Sequence, residues 1–90
     1  MTEVVVLISA SLLTELRSGK PQAVSAVALE GACNHHGAIC NHDLATPNPG
    51  SSDSFFLSFF LDEQAGEFTE KIKDLDGVLS VYVKAGLELP

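Results

Sequence analysis

The residues with the most chemistry in them sit together. Cys33, His35, His36, Cys40 and His42 comprise both cysteines and all three histidines of the 90-residue chain, and they fall within ten positions. Two thiolates and two imidazoles can complete a tetrahedral zinc shell, and soft ligands of that kind also suit copper. Cys33, His36, Cys40 and His42 are the candidate ligand set, with Asp43 placed to steady one imidazole from outside. The spacing Cys-x-His-His-x3-Cys-x-His follows no established zinc motif, and a helix end running into a strand must bend sharply to gather four groups. The simpler expectation is no cofactor, with two free thiols packed as small apolar groups and three histidines in a solvated turn.

Other routes to catalysis find less support. Cysteine-histidine nucleophilic chemistry lacks an orienting group and an oxyanion donor. The carboxylate pairs Asp62 with Glu63 and Asp74 with Asp76 belong to helix ends, where they cap or are solvated. Gly31, Gly37 and Gly50 stand alone, and none follows a strand in the way a phosphate-cradling loop requires. The expectation is a binding protein and not an enzyme.

Composition narrows what it binds. A chain of 90 residues closes one core, and 46% apolar against 19% charged residues is enough to fill it, so residues 1–90 are expected to form a single domain. A net charge of -7 with five basic residues leaves no cationic stripe for a nucleic acid or an anionic membrane surface. No apolar run approaches the roughly 20 residues that span a bilayer. Residues 4–10 are apolar, but Glu3 stands where a signal peptide carries basic residues, so the expected location is cytoplasmic and the cysteines are expected to be reduced.

The elements that must position these groups follow from periodicity. Val4, Val6 and Ile8 begin an alternation that runs on through Ala10, Leu12, Thr14 and Leu16, which predicts a strand with one buried face. A competing reading starts a short helix near Ser9, because the following residues are good helix formers behind a good cap. After the break at Gly19 and Pro21, the stripe Ala23, Val24, Val27, Ala28 and Ala32 predicts a helix that Gly31 or Gly37 ends. Residues 38–45 fit a second strand, and residues 46–53 read as an exposed loop.

Ser54-Phe55-Phe56-Leu57-Ser58-Phe59-Phe60-Leu61 is the strongest strand signal in the chain. Asp62 is placed to cap a helix with Ala65, Phe68, Ile72 and Leu75 on one side, Gly77 to stop it, and residues 78–84 to form the last strand, with Leu79, Val81 and Val83 on one face. The order predicts an α+β, ferredoxin-like βαββαβ sandwich, a four-stranded antiparallel sheet with two helices on one face. The other face is left to solvent or a partner.

Two segments carry a resemblance. Phe59-Phe60-Leu61-Asp62-Glu63-Gln64-Ala65 and Leu75-Asp76-Gly77-Val78-Leu79-Ser80-Val81 are similar to the final strand, helix and strand of subtilisin-type protease prodomains, and the match runs over residues 55–84. Free-standing members of that family block subtilisin-like serine proteases. The resemblance implies a propeptide-like protease inhibitor, or a binder of the intramolecular-chaperone type, whose open sheet face packs on the protease. Its extended tail, Ala85, Gly86, Leu87, Glu88, Leu89 and Pro90, would lie in the active-site cleft as a substrate does. Pro90 lacks an amide donor, which leaves Leu89 as the better anchor. The rival to a protease partner, beside a metal-binding module, is an oligomerisation domain that forms a homodimer through an edge strand or the open face.

Overall fold

The computed structural model describes residues 1–84, and at Ser9 the helical reading prevails. The first strand, β1 (Thr2–Ser9), buries Val4, Val6 and Ile8 completely. The Ser9 hydroxyl then accepts the Leu12 amide at 3.1 Å and starts α1 (Ala10–Arg17). Leu12 and Leu16 are four apart, a spacing that satisfies the strand period and the helix period alike. The burial of Leu13 beside them belongs to a helix alone.

The second helix, α2 (Val24–His36), keeps Ala32 of the predicted small-residue stripe inward but otherwise presents a different face. Ala26, Leu29 and Ala32 are buried, whereas Val24 is 86% and Val27 51% exposed. Its start is pinned by α1: the Glu15 carboxylate accepts the amides of Gln22 and Ala23, both at 2.9 Å, because Ala23 at the cap position has no side chain to do so. Those two bonds lower the Glu15 pKa below the usual glutamate value. Gly37 ends the helix at φ 68°, and the amides of Gly37 and Ala38 both donate to the Cys33 carbonyl.

The predicted second strand is there, but interrupted. The short strands β2 (Ile39–Cys40) and β3 (Thr46–Pro47) both pair with β4 (Ser54–Leu61), and a 3-10 turn (His42–Leu44) stands between them. Cys40 lies opposite Phe59 and Thr46 opposite Phe56, so residues 41–45 face only Leu57 and Ser58 and bulge outward. Two contacts hold the bulge: the Asn41 side chain accepts the Asp43 amide at 3.0 Å, and the Arg17 guanidinium donates to the His42 carbonyl at 2.9 and 3.3 Å. Pro47, which has no amide to donate, is tolerated at a sheet edge. The loop expected over residues 46–53 therefore begins only after Pro47.

The last helix, α3 (Ala65–Ile72), buries Phe68 and Ile72 as its periodicity predicts, but Asp62 does not cap it. The cap position belongs to Gln64, at φ 65° and with no side-chain cap bond. The final strand, β5 (Val78–Val83), stops one residue short of the expected Lys84, and a register shift against Leu7 and Ile8 leaves Leu79 without a partner and 57% exposed. The bulge reverses the alternation at that point, so Val78 joins the core although Ser80 and Tyr82 face the other way.

Among the described residues the fold is α+β: three α-helices and a five-stranded antiparallel sheet in the order β2-β4-β1-β5, with β3 extending the β2 side of β4. Both numbers exceed the expected two and four, because α1 takes residues assigned to the first strand and the edge strand is split. β1 and β2 run parallel with β4 between them, and β4 and β5 run parallel with β1 between them. All three helices pack on one face, against Val4, Val6, Ile8, Leu57, Phe59 and Leu61.

Gly77, at φ 92°, is where the chain turns under α1, and a Cβ there would sit 3.1 Å from both Leu12 Cβ and Ser9 Oγ. Gly77→Ala is expected to lower the unfolding free energy by about 1–3 kcal/mol. Gly31→Ala, in a helix with open space around it, is expected to raise it by about 0.4–1 kcal/mol. Urea denaturation of both variants reads the contrast. For Glu15, whose folded pKa is depressed, the contribution to stability is present above the unfolded value and is lost as pH falls through the lower folded one. Urea titrations from pH 6 to about 3 should therefore show a flatter acid limb in Glu15→Gln than in the parent.

Candidate functional site

The cysteine-histidine cluster divides into two places. Cys33, in the last turn of α2, and Cys40, in β2, pack against the same core and line one cavity of about 270 Å³ with Glu30, Asn34, Ala38 and His42. His36 sits apart, between α2 and α3: its Nδ1 is 3.0 Å from Gln64 Oε1, and its ring meets the ring of Phe68 edge to face at 6.1 Å. Its Nε2 is buried with no hydrogen-bond partner among the described residues. His35 stacks edge-on against His36, with centroids 4.8 Å apart. The structure thus brings together Cys33, Cys40 and His42 and leaves His36 out of the set. Among the described residues no group of three or more His, Cys, Asp or Glu side chains is arranged to hold a metal ion.

Both thiols are free and only half exposed. Burial pushes the Cys33 pKa up to about 12, helped by the negative charge of Glu30. Burial pushes Cys40 up to about 12 as well, with Cys33 adding to it. Groups held this far into the protonated form are poor nucleophiles at neutral pH.

The second candidate site is the sheet face that carries none of the described helices. Strand alternation places Glu3, Val5 and Leu7 of β1, Phe56, Ser58 and Phe60 of β4, Ser80 and Tyr82 of β5 and Ile39 of β2 on that face. Phe60 is 37%, Tyr82 60%, Ile39 63% and Leu44 71% exposed. Ile39, Leu44 and Phe60, with Asn41 and Ser58, surround a cleft of about 230 Å³ whose lining is mostly apolar. Large apolar groups gathered on one face make it a candidate interaction surface.

A polar row runs through the middle of the apolar face. Ser58 donates to the Glu3 carboxylate at 2.6 Å, and Lys84 Nζ lies 3.6 Å from the other Glu3 oxygen. The Lys84 amide donates to the Glu3 carbonyl at 2.9 Å. Glu3 stands opposite Phe60, which stands opposite Ile39, so Lys84 and the apolar cleft lie on one line across the strands. Reading the sequence alone missed this row, because nothing in it ties Glu3 to Ser58 and Lys84 before the register is known. Leu44 was missed too, since its exposure follows from the outward bulge.

The predicted binding tail, Ala85, Gly86, Leu87, Glu88, Leu89 and Pro90, lies outside the described residues. Among the described residues no helix is long and apolar enough to cross a membrane. Compared with known proteins, the chain matches no family model, no curated protein and no solved structure.

Proposed function

We propose that this chain is a protein-binding module with a ferredoxin-like core, and that it acts as a prodomain-like inhibitor, or a binder of the intramolecular-chaperone type, of a subtilisin-like serine protease. The single observation that carries the reading is the apolar sheet face that none of the described helices covers, with its cleft between Ile39, Leu44 and Phe60. The strand order supports the core assignment, since each helical connection joins two parallel strands that flank a third, which is the split βαβ arrangement. The edge addition of β3 is then an elaboration of that core.

In this reading an apolar side chain of the partner fills the cleft, and the aromatic surface around it excludes water. Tyr82 and Phe60 supply large contact areas at low conformational cost. The bonds from Glu3 hold Lys84, the residue before the tail, in place beside β1. Pre-organisation of that kind lowers the entropy lost when an extended peptide pairs with the edges of a cleft. Face and tail act as two linked contacts. The chemistry belongs to the partner, consistent with two protonated, half-buried thiols here. A cytoplasmic location is part of the same proposal.

Inhibition of a panel of subtilisin-like proteases tests the proposal. The full chain is expected to inhibit at least one, and Phe60→Asp and Ile39→Asp are each expected to weaken it about 30-fold with the circular-dichroism spectrum unchanged. No inhibition by the parent, accompanied by a stable dimer in sedimentation that Phe60→Asp dissociates, would replace the protease with a second copy of the chain. A chain ending at Lys84 is expected to lose about 100-fold in potency through the missing second contact. Glu3→Gln should weaken the full chain several-fold, on the order of one kcal/mol, and leave the shortened chain unaffected. An equal loss in both lengths would mean that Glu3 touches the partner directly and does not position the tail.

A further inference from the structure

Cys33 and Cys40 are two thiols that the fold brings to one corner, and the docking reading makes no use of either. The chain reverses at Gly37, and the Cys33 carbonyl receives the amides of both Gly37 and Ala38, so the last turn of α2 and the strand that follows depart from one point. Cys40 comes two residues after Ala38. It stands opposite Phe59, which is 1% exposed, and residues facing each other in an antiparallel pair share a side of the sheet. Its thiol therefore points to the face on which Cys33 and Ala38 also pack, and both thiols open on the same cavity. They are close enough for a charge on Cys33 to disfavour one on Cys40.

We propose that Cys33 and Cys40 form a redox-modification site, closing an intramolecular disulfide by exchange with a small-molecule disulfide such as oxidised glutathione. One protein thiol loses its proton and attacks a glutathione sulfur, forming a mixed disulfide and releasing glutathione thiolate. The second protein thiol loses its proton and attacks the protein sulfur of that mixed disulfide, releasing the second glutathione thiolate. The two thiolates take up the two protons, so two protein thiols are oxidised to one bridge as one glutathione disulfide is reduced to two glutathiones. The loop that closes runs from residue 33 to residue 40, and its turn is already folded in the reduced chain.

Two consequences follow from the surroundings. Because folding holds the thiols together, the bridge is favoured by a high local concentration of one thiol around the other. Because burial keeps both protonated, with pKa values about 12, exchange is slow at neutral pH and accelerates as pH rises. The bridge would tie the end of α2 to the edge strand that carries Ile39.

Incubation of the full chain with glutathione redox buffers, read by mass spectrometry after acid quench, tests the proposal. The expected product is a monomer about 2 Da lighter with no thiol open to alkylation, while Cys33→Ser and Cys40→Ser each stop at a single glutathione adduct. The effective thiol concentration is expected to be at least about tenfold higher in native buffer than in concentrated guanidinium. Equal effective concentrations in the two solvents, a native chain carrying two glutathione adducts, or covalent dimers in place of the lighter monomer would each overturn it.

Discussion

β1 and β4 pair along their whole length, from Thr2 opposite Leu61 to Ser9 opposite Ser54, and everything else in the molecule is arranged around that ladder. On one side of it Val4, Val6, Ile8, Leu57, Phe59 and Leu61 are removed from water. Each such side chain contributes about 1.5–3 kcal/mol, so a one-residue slip, which would turn one strand's three to the opposite face, is excluded by the core itself. The helices have one place to go. Phe68 of α3 reaches Phe59 at a centroid distance of 5.5 Å, and Leu29 of α2 and Leu12 of α1 close the layer beside it.

The same constraint fixes what the other face shows. Strand alternation gives every inward residue an outward neighbour, and in β4 those neighbours are Phe56, Ser58 and Phe60. A sheet that needed only to be soluble would carry polar residues there. This one carries aromatics around a narrow polar row, and the row consists of groups that satisfy one another: the Glu3 carboxylate accepts from Ser58 and sits beside Lys84. An ion pair as exposed as Lys84 with Glu3 contributes little stability. Its consequence is geometric, because it acts together with a backbone bond at the last described residue.

How much of this was legible in the sequence depends on which interactions are local. β4 and the inward side of α3 are written in the spacing of Phe59, Leu61, Phe68 and Ile72, and Gly37 announces the end of α2. The boundary at Ser9 is less legible because Leu12 and Leu16 fit two periods. The face of α2 was misread because the sequence offers valines as the larger apolar groups, whereas the space against the sheet admits Ala26, Leu29 and Ala32. The orientation is set from outside the helix, by Glu15 holding its first amides. The split of the edge strand depends on a register with β4 and on Arg17 reaching the His42 carbonyl, contacts across distances no window along the chain can see. The cluster divides for the same reason: Cys33 and His36 share the end of α2, but His36 belongs to the contact with α3, whereas Cys33 lines the cavity beside Cys40.

The two candidate sites meet in β2, where Ile39 and Cys40 are consecutive and therefore face opposite ways. Ile39 forms one wall of the cleft on the open face, and Cys40 is anchored in the corner that α2 makes with the sheet. β2 is two residues long and is followed by a turn that bulges away, so it is held by few ladder bonds and its position depends on the packing of its inward side chain. Short edge strands of this kind open at lower free energy than the central ladder. Any change in how Cys40 is held must therefore alter how firmly the wall of the cleft is placed. A single peptide unit thus joins the thiol corner to the wall of the cleft on the open face.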